Sequence, residues 1–156
     1  MLKKIYNKVT HEWDTSVEEA LKSFIRLPAL SPDFDKKWEE NGVLLKALED
    51  AQAWAEKQGI KGLRCEIIKD DGFTPCLFVE VDATSDKKFE RSVFFYGHLD
   101  KQPPNEGWDP DKSAWEPVIQ NGRLYGRGAV DDGYAFYTSL AAVKALQTLG
   151  IPHPRC

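Results

Sequence analysis

A histidine and three carboxylates in this sequence have the types and the spacing that could hold a metal ion. His98 and Asp100 follow an apolar run that ends in Gly97, and Asp131 and Asp132 follow a glycine-rich turn further along the chain. Residues two apart on an extended backbone project to the same side, so His98 and Asp100 leave the chain together. A metal-binding imidazole usually gives its second nitrogen to a carboxylate. The pattern therefore predicts half of a metal site.

Each part of this pattern also has an explanation that needs no metal. A lone histidine at a strand end is often a hydrogen-bonded polar residue, and Asp131 and Asp132 could accept hydrogen bonds from free N–H groups where a helix begins. These two alternatives stay open. A dinucleotide site at the Gly-Arg-Gly of residues 126–128 is not favoured, because its third glycine would fall at Asp131, whose charge repels a pyrophosphate.

Composition narrows the class of protein. The 156 residues, 42% hydrophobic and 29% charged, suffice for one globular domain with a core. The net charge of -4 provides no basic surface for nucleic acid. No apolar run approaches the roughly 20 residues of a membrane span, and the N-terminus becomes polar too early for a signal peptide. Three cysteines without a CxxC pair indicate no disulfide framework. We expect a cytoplasmic protein that binds neither nucleic acid nor membrane.

Helices are predicted from the spacing of apolar residues. A stripe at four-residue intervals from Ile5 to Ile25 predicts one helix, or two if residues 15–19 form a capping box, with Trp13 in the core. A second helix is predicted over residues 36–58, ended by Gly59.

Strands and turns occupy most of the remainder. Residues 63–69 and 76–81 predict two strands joined by a turn, and residues 92–96 predict a third that is buried on both faces, because it shows no polar alternation. The other predicted features are a charged surface loop over residues 83–90, a turn at Asn121-Gly122 with a short strand at 123–125, a last helix from near Asp131 to Gly150, and a final extended segment at 151–156. This order predicts an α/β fold, a three-layer arrangement with helices on both faces of a sheet.

Five motifs taken together resemble one family closely. They are GHLDKQP, GWDPDKSAWEP, LYGRGAVDD, LPALSP and TPCLFVEV. They are similar to motifs of the zinc-dependent exopeptidase and amidohydrolase family (peptidase family M20-like) that includes carboxypeptidase G, the carnosine-type and cytosolic non-specific dipeptidases, and the aminoacylases and deacetylases. The resemblance covers nearly all the chain, is strongest over residues 96–133, and is nearest to the dipeptidase branch.

The resemblance implies roles for three residues. It implies that His98 binds one metal ion, that Asp100 supports catalysis by orienting the imidazole, and that Asp131 bridges two metal ions. It also implies two zinc ions per complete site, with cobalt or manganese as possible replacements, and often a cis peptide bond after Asp131. Lys101 stands where an apolar residue is common, and Gly133-Tyr134 replaces a frequent Lys-Gly; these differences concern specificity rather than chemistry.

The implied function is metal-dependent hydrolysis of peptide bonds in dipeptides or small peptides, through a water shared by the two metal ions. Two alternatives stay open. One is an N-acyl amino acid amidohydrolase, and the other is a non-catalytic, shortened relative that binds a partner through an exposed sheet edge. Full-length family members are often homodimers.

The resemblance also implies that part of the site is absent. The family's general-base glutamate and remaining metal ligands follow the last helix, and a lid or dimerisation domain interrupts the catalytic domain. We therefore expect residues 1–156 to be the N-terminal portion of a zinc-peptidase catalytic domain, inactive alone. His153 is not expected to be a ligand, and His11 is expected at the surface.

Overall fold

The N-terminal segment is helical because its apolar residues recur at helical intervals. In the computed structural model, which describes residues 1–84 and 91–156, α1 spans Leu2–Glu12 and α2 spans Glu18–Arg26. A π-helical turn, Trp13–Val17, joins them without a break, and Trp13 packs against the core as predicted.

The possible capping box is not formed at this junction. The Thr15 hydroxyl donates to the His11 carbonyl, and the Ser16 hydroxyl donates to Gln58, which lies in the turn at residues 57–58. Neither hydroxyl therefore caps a new helix start.

The second predicted helix is divided in two. Trp38–Asn41 forms the short α3 and Val43–Glu56 forms α4, with Gly42 between them in a left-handed conformation at φ +67°. The side chain of Asn41 accepts a hydrogen bond from the Val43 N–H, which helps to start α4. Gly59 follows α4 at φ +67°, a conformation that glycine adopts without strain.

Both short sheets are antiparallel hairpins. Strand β1, Leu63–Ile68, pairs with β2, Cys76–Val81, as the sequence predicts. Strand β3, Val118–Gln120, pairs with β4, Arg123–Tyr125, across the predicted Asn121-Gly122 turn. Along β1 half-buried and exposed residues alternate, so one face of the first hairpin packs inward.

The last helix, α5, covers this hairpin and the N-terminal helices. It spans Tyr134–Thr148, and an irregular turn at Ala129–Gly133 precedes it. The prediction that the helix starts near Asp131 is three residues too early, because Asp131 and Asp132 have non-helical backbone angles. In the described part of the chain, no helix is both long and apolar enough to cross a membrane.

Two hydrophobic clusters hold these elements together. The larger joins α2, α4 and α5, and the smaller joins β1 and β2 to α4 and α5. The buried members of the larger are Val17, Leu21, Phe24, Ile25, Ala29, Leu44, Ala47, Ala129, Tyr137 and Ala141. Those of the smaller are Ala55, Ile60, Val81, Leu140 and Val143.

The α/β class is confirmed, but the predicted buried strand at residues 92–96 is wrong. This stretch forms no paired strand, and the side chain of Phe94 is 85% exposed. Among the described residues only one loop hydrogen bond reaches it, from the Val93 N–H to the Arg155 carbonyl. A strand needs a ladder of such bonds, so the described chain contains two two-stranded sheets in place of a central sheet.

The C-terminal residues lie in extended conformation against the end of β2. Cys156 exchanges both backbone hydrogen bonds with Val81, and the Thr84 N–H donates to the His153 carbonyl. This agrees with the predicted extended segment at 151–156. Of the predicted charged loop over residues 83–90, residues 85–90 lie outside the described residues.

Candidate metal site

The candidate metal site consists of His98, Asp100 and Asp131, and its first two members lie on an anchored segment. Immediately after Asp100, the Lys101 N–H donates to the Ala29 carbonyl at 2.8 Å. The Lys101 carbonyl accepts from the Ser31 N–H at 2.9 Å. This parallel pairing against the chain that leaves α2 fixes the backbone from which His98 and Asp100 project.

The imidazole of His98 lies between the two carboxylates. Its Nδ1 is 3.0 Å from Oδ1 of Asp100 and its Nε2 is 3.2 Å from Oδ1 of Asp131. Nδ1 is also 3.2 Å from the Asp100 carbonyl oxygen. The structure therefore brings together the three residues that the sequence singled out, although Asp131 belongs to a different element.

Charge raises the pKa of His98. Burial alone would lower it, but the hydrogen bond to the Asp100 backbone and the negative charges of Asp100, Asp131 and Asp132 outweigh that effect. A metal cation placed between Nε2 and Asp131 would meet the same negative field. It would compete with the proton for the Nε2 lone pair.

The turn that carries Asp131 does not cap α5. Asp131 has φ -115° and ψ 90°, and neither it nor Asp132 makes a side-chain cap hydrogen bond. The Asp131 side chain is 62% exposed. The metal-free explanation of these carboxylates as helix caps is therefore not observed. The Asp131-Asp132 peptide bond is cis, as the resemblance implies.

The geometry of His98 and Asp131 fits a shared metal ion. Zinc binds imidazole nitrogen and carboxylate oxygen at about 2.0–2.2 Å, so two tetrahedral ligands lie roughly 3.4 Å apart. The observed Nε2–Oδ1 distance is 3.2 Å. However, the described residues contain no group of three or more His, Cys, Asp or Glu side chains that could hold a metal. In such a site His98 and Asp131 would be two ligands, and Asp100 would orient the imidazole.

Lys101, which the sequence marked only as a departure from the family pattern, is a buried neighbour of the candidate metal site. Its side chain is buried, and its Nζ donates to three carbonyls, at 2.6 Å to Phe24, 3.2 Å to Ile25 and 2.6 Å to Leu27. Nζ also lies 3.9 Å from the centre of the Phe24 ring and 5.3 Å from that of Trp115. Burial lowers the pKa of Lys101 to about 7. The acceptors lie 74 to 77 positions earlier, so no local spacing signals these contacts.

Glycines allow the turn to approach Lys101 and α2. A Cβ at Gly128, whose φ is +86°, would lie 2.7 Å from Cε of Lys101. A Cβ at Gly133 would collide with the ring of Phe24, and one at Gly126 with Ile25. We call these residues, Phe24, Ile25, Lys101, Gly126, Gly128 and Gly133, the Lys101 junction. It joins α2, the His98 segment and the Asp131 turn.

The other two histidines lie away from the candidate metal site. His153 is buried and contacts Gln147 and the Pro154 carbonyl. His11 is exposed on α1. Two surface pockets, of about 360 and 540 Å³, are lined by neither His98 nor Asp131. The candidate metal site lies at the surface of the described residues, because the His98 and Asp131 side chains are 34% and 62% exposed.

Comparison with known proteins supports the resemblance. Residues 94–156 match the model of Peptidase family M20/M25/M40. A putative dipeptidase of Bacillus subtilis is 38% identical over 55 residues, 35% of this chain and 11% of that protein. The Cys-Gly metallodipeptidase of Schizosaccharomyces pombe is 36% identical over 67 residues, 42% of this chain and 14% of that protein.

A longer match joins the chain to an enzyme with another name. A succinyl-diaminopimelate desuccinylase of Nautilia profundicola is 30% identical over 129 residues, 83% of this chain and 29% of that protein. The chain thus spans between 11% and 29% of the length of these three relatives.

Solved structures show the same fold. Human carnosine dipeptidase 1 superposes with a TM-score of 0.71 at 23% identity, over 96% of this chain and 32% of that one. The dipeptidase Dug1p of Saccharomyces cerevisiae gives 0.73 at 20% identity, over 97% of this chain and 32% of that one. The α/β arrangement, the shared motifs and the family model agree: the resemblance to Peptidase family M20/M25/M40 is confirmed, and residues 94–156 are the part of this chain that matches the family model.

Proposed function

We propose that this chain is part of a metal-dependent hydrolase that cleaves peptide bonds in dipeptides or small peptides. The observation that carries the proposal is the position of His98, with Nδ1 on Asp100 and Nε2 facing Asp131 at 3.2 Å. Relatives and structural neighbours with dipeptidase in their names support this substrate class.

Each residue of the candidate metal site has a distinct task in this proposal. Asp100 accepts a hydrogen bond from the Nδ1–H of His98, which leaves Nε2 to bind a metal ion on the side that faces Asp131. The exposed carboxylate of Asp131 has two oxygens and can serve two metal ions, as the family resemblance implies. When bound, the metal ions supply an activated water and polarise the scissile carbonyl. The general-base glutamate and the other ligands would come from outside the described residues.

Replacing His98 by alanine in the complete protein tests the proposal. We expect His98→Ala to lower zinc content and dipeptide hydrolysis by at least roughly 100-fold, because a ligand is lost. His11→Ala changes an exposed histidine on α1 and is the matched control. Unchanged zinc content and turnover in the His98 variant would refute the assignment.

The 156-residue chain alone should not be active. Two ligands do not complete a tetrahedral zinc site, and the described residues contain no third ligand placed with them. We expect purified chain, freed of host peptidases, to hydrolyse no dipeptide with added zinc. Measurable turnover that His98→Ala removes would contradict this expectation.

A second candidate function is hydrolysis of N-acyl amides. It is favoured by two desuccinylases that align with 82–83% of this chain, whereas the dipeptidase relatives named above align with 35–42%. A panel of dipeptides and N-succinyl amino acids, assayed with the complete protein, separates the two. Zinc as the metal, a cytoplasmic location and a homodimer stay predictions.

A further inference from the structure

Lys101 contacts both parts of the chain that form the candidate metal site. Its neighbour Asp100 holds the imidazole of His98, and its aliphatic stem lies against Gly128, three residues before Asp131. Its Nζ reaches the end of α2. One buried side chain therefore connects α2, the His98 segment and the Asp131 turn.

Each N–H of the Lys101 ammonium group has a hydrogen-bond acceptor. In its protonated form Nζ has three N–H donors, and the Phe24, Ile25 and Leu27 carbonyls provide three acceptors. Phe24 and Ile25 lie in the last turn of α2, at the negative end of the helix dipole, and the Phe24 carbonyl accepts the Leu27 N–H as well as Nζ. The ring of Phe24 adds a cation–π contact. These directional contacts leave the Lys101 side chain little freedom to move.

The immobilised stem in turn limits where the turn can lie. Gly128 has room for no side chain because Cγ, Cδ and Cε of Lys101 occupy the space, at 2.7 to 3.1 Å from where a Cβ would be. On its other side the turn meets α2, where Gly133 abuts the ring of Phe24. The Asp131 backbone is therefore set between Lys101 and a helix that Lys101 itself caps.

We propose that Lys101 is a positioning residue of the candidate metal site, which sets the imidazole of His98 and the carboxylate of Asp131 at the separation that a shared metal ion requires. The relevance of this separation to metal binding rests on the proposed function. The placement of His98 by Lys101 is a property of this chain without metal.

The first test uses the chain itself and its three histidines. In Lys101→Met the stem keeps its length but loses the charge and all three donors. We expect the nitrogen-15 and proton resonances of the His98 ring to shift, whereas those of His11 and His153 stay unchanged at one fixed pH. Lys144→Met is the matched control. It removes a lysine that pairs with the buried Glu12 across α1 and α5, and it should leave His98 unaffected.

Lys101→Arg keeps the test decisive if the methionine variant does not fold. A guanidinium is larger than an ammonium and planar, so it cannot donate to all three carbonyls without moving residues 98–101. We expect the His98 resonances to shift in this variant too. Unchanged His98 resonances in whichever variant folds would overturn the proposal, and would leave Lys101 a stabilising residue only.

The second test measures zinc affinity in the complete protein. We expect Lys101→Met to weaken zinc binding by about 10- to 100-fold, the usual effect of losing a residue that orients metal ligands. Lys144→Met should change it less than about 2-fold. Equal affinity in the Lys101 variant and the unaltered protein would overturn the positioning role. If His98→Ala binds zinc normally as well, the proposed function itself fails, and the His98 resonances still decide the placement.

Discussion

Residues 93–96 and Lys101 are close in sequence, yet the apolar residues are exposed and the lysine is buried, the opposite of what polarity suggests. Phe94 and Tyr96 are 85% and 76% exposed, whereas the lysine that follows Asp100 is 2% exposed. Among the described residues, the apolar stretch makes one loop hydrogen bond, at Val93. The lysine meets three carbonyls and two aromatic rings.

The contrast shows that partners decide burial in this chain more than side-chain type does. An ammonium that is buried without partners costs several kcal/mol, but here each donor has an acceptor and the stem packs against glycine. Phe94 is hydrophobic, but hydrophobic burial needs a surface to pack against. The described chain provides such a surface at α2 and not at residues 93–96.

The largest expected difference is in the free energy of unfolding that is lost when a phenylalanine from each region is replaced by alanine. Phe24 is 2% exposed in the Lys101 junction, so Phe24→Ala should lower the free energy of unfolding by about 3–5 kcal/mol. Phe94→Ala removes an exposed ring and should change it by less than about 0.5 kcal/mol. Urea unfolding of both variants measures the contrast. Similar losses in the two variants would mean that residues 93–96 are buried in solution.

A smaller difference in stability is expected when alanine replaces either of two glycines that have similar backbone angles. Gly128 and Gly59 have φ +86° and +67°, so alanine at either position pays a left-handed cost of about 1–2 kcal/mol. Only at Gly128 would the new methyl also meet Lys101, whose end is fixed, which adds about 1–3 kcal/mol. Gly59 has nothing within 4 Å of the new Cβ.

Thermal or urea unfolding of Gly128→Ala and Gly59→Ala isolates the contact with Lys101, because the backbone cost cancels between the two variants. Gly128→Ala should therefore lower the free energy of unfolding less in a Lys101→Ala chain than in the unaltered chain. A Gly128 variant as stable as the Gly59 variant would show that the Lys101 side chain is free to move.

Local patterns predicted much of the fold. The hairpin of β1 and β2, the turn at Asn121-Gly122 and the end of the last helix all depend on neighbours within a few positions, and all were found. The buried strand at 92–96 depended on partners distant in sequence, which polarity along the strand does not reveal. The break at Gly42 was missed because one left-handed residue interrupts an otherwise continuous helical stripe.

The candidate metal site was predictable to the same extent. His98 and Asp100 are two apart, and the sequence predicted from this spacing that they leave the chain on the same side, where the structure places them in contact. The contact of His98 with Asp131 was implied by family resemblance and not by spacing. The three carbonyl partners of Lys101 were not predictable, because every residue has a carbonyl and only the folded chain shows which ones Nζ reaches.

The pH dependence of stability tests the charges around His98, which is only partly buried. Its pKa is raised in the folded chain, so the folded state binds the proton more tightly than the unfolded state. The resulting stabilisation is complete below the ordinary pKa of about 6.5 and is lost as pH rises through the folded value. His98→Ala should therefore destabilise the metal-free chain more at about pH 5.5 than at about pH 9.

This pH-dependent stabilisation is small because the side chains of His98 and Asp100 are partly exposed. We expect the difference between the two pH values to be less than about 1 kcal/mol, measured by urea unfolding in the presence of a chelator. His11→Ala, which changes an exposed histidine of α1, is the matched control variant. A larger loss at the alkaline pH would show that burial, and not the carboxylates, dominates the pKa of His98.

The smallest expected effect is a difference in the rates at which exposed and half-buried cysteine thiols are chemically modified. Cys76 at the start of β2 is exposed. Cys65 on β1 is half-buried, and burial together with the charge of Glu56 raises its pKa to about 11. Burial also raises the pKa of Cys156. Because the thiolate is the reactive form, an aromatic disulfide reagent near neutral pH should modify Cys76 first.

Cys76→Ser should remove the fast phase of this reaction, and Cys65→Ser should leave it intact. In guanidinium chloride the three thiols should react at similar rates, because unfolding removes the burial that separates them. If Cys65 reacted as fast as Cys76 in the native chain, the inner face of the β1–β2 hairpin would be open to solvent. Packing of α4 and α5 against that face, and with it the support of α5 behind the Asp131 turn, would then be looser than the structure shows.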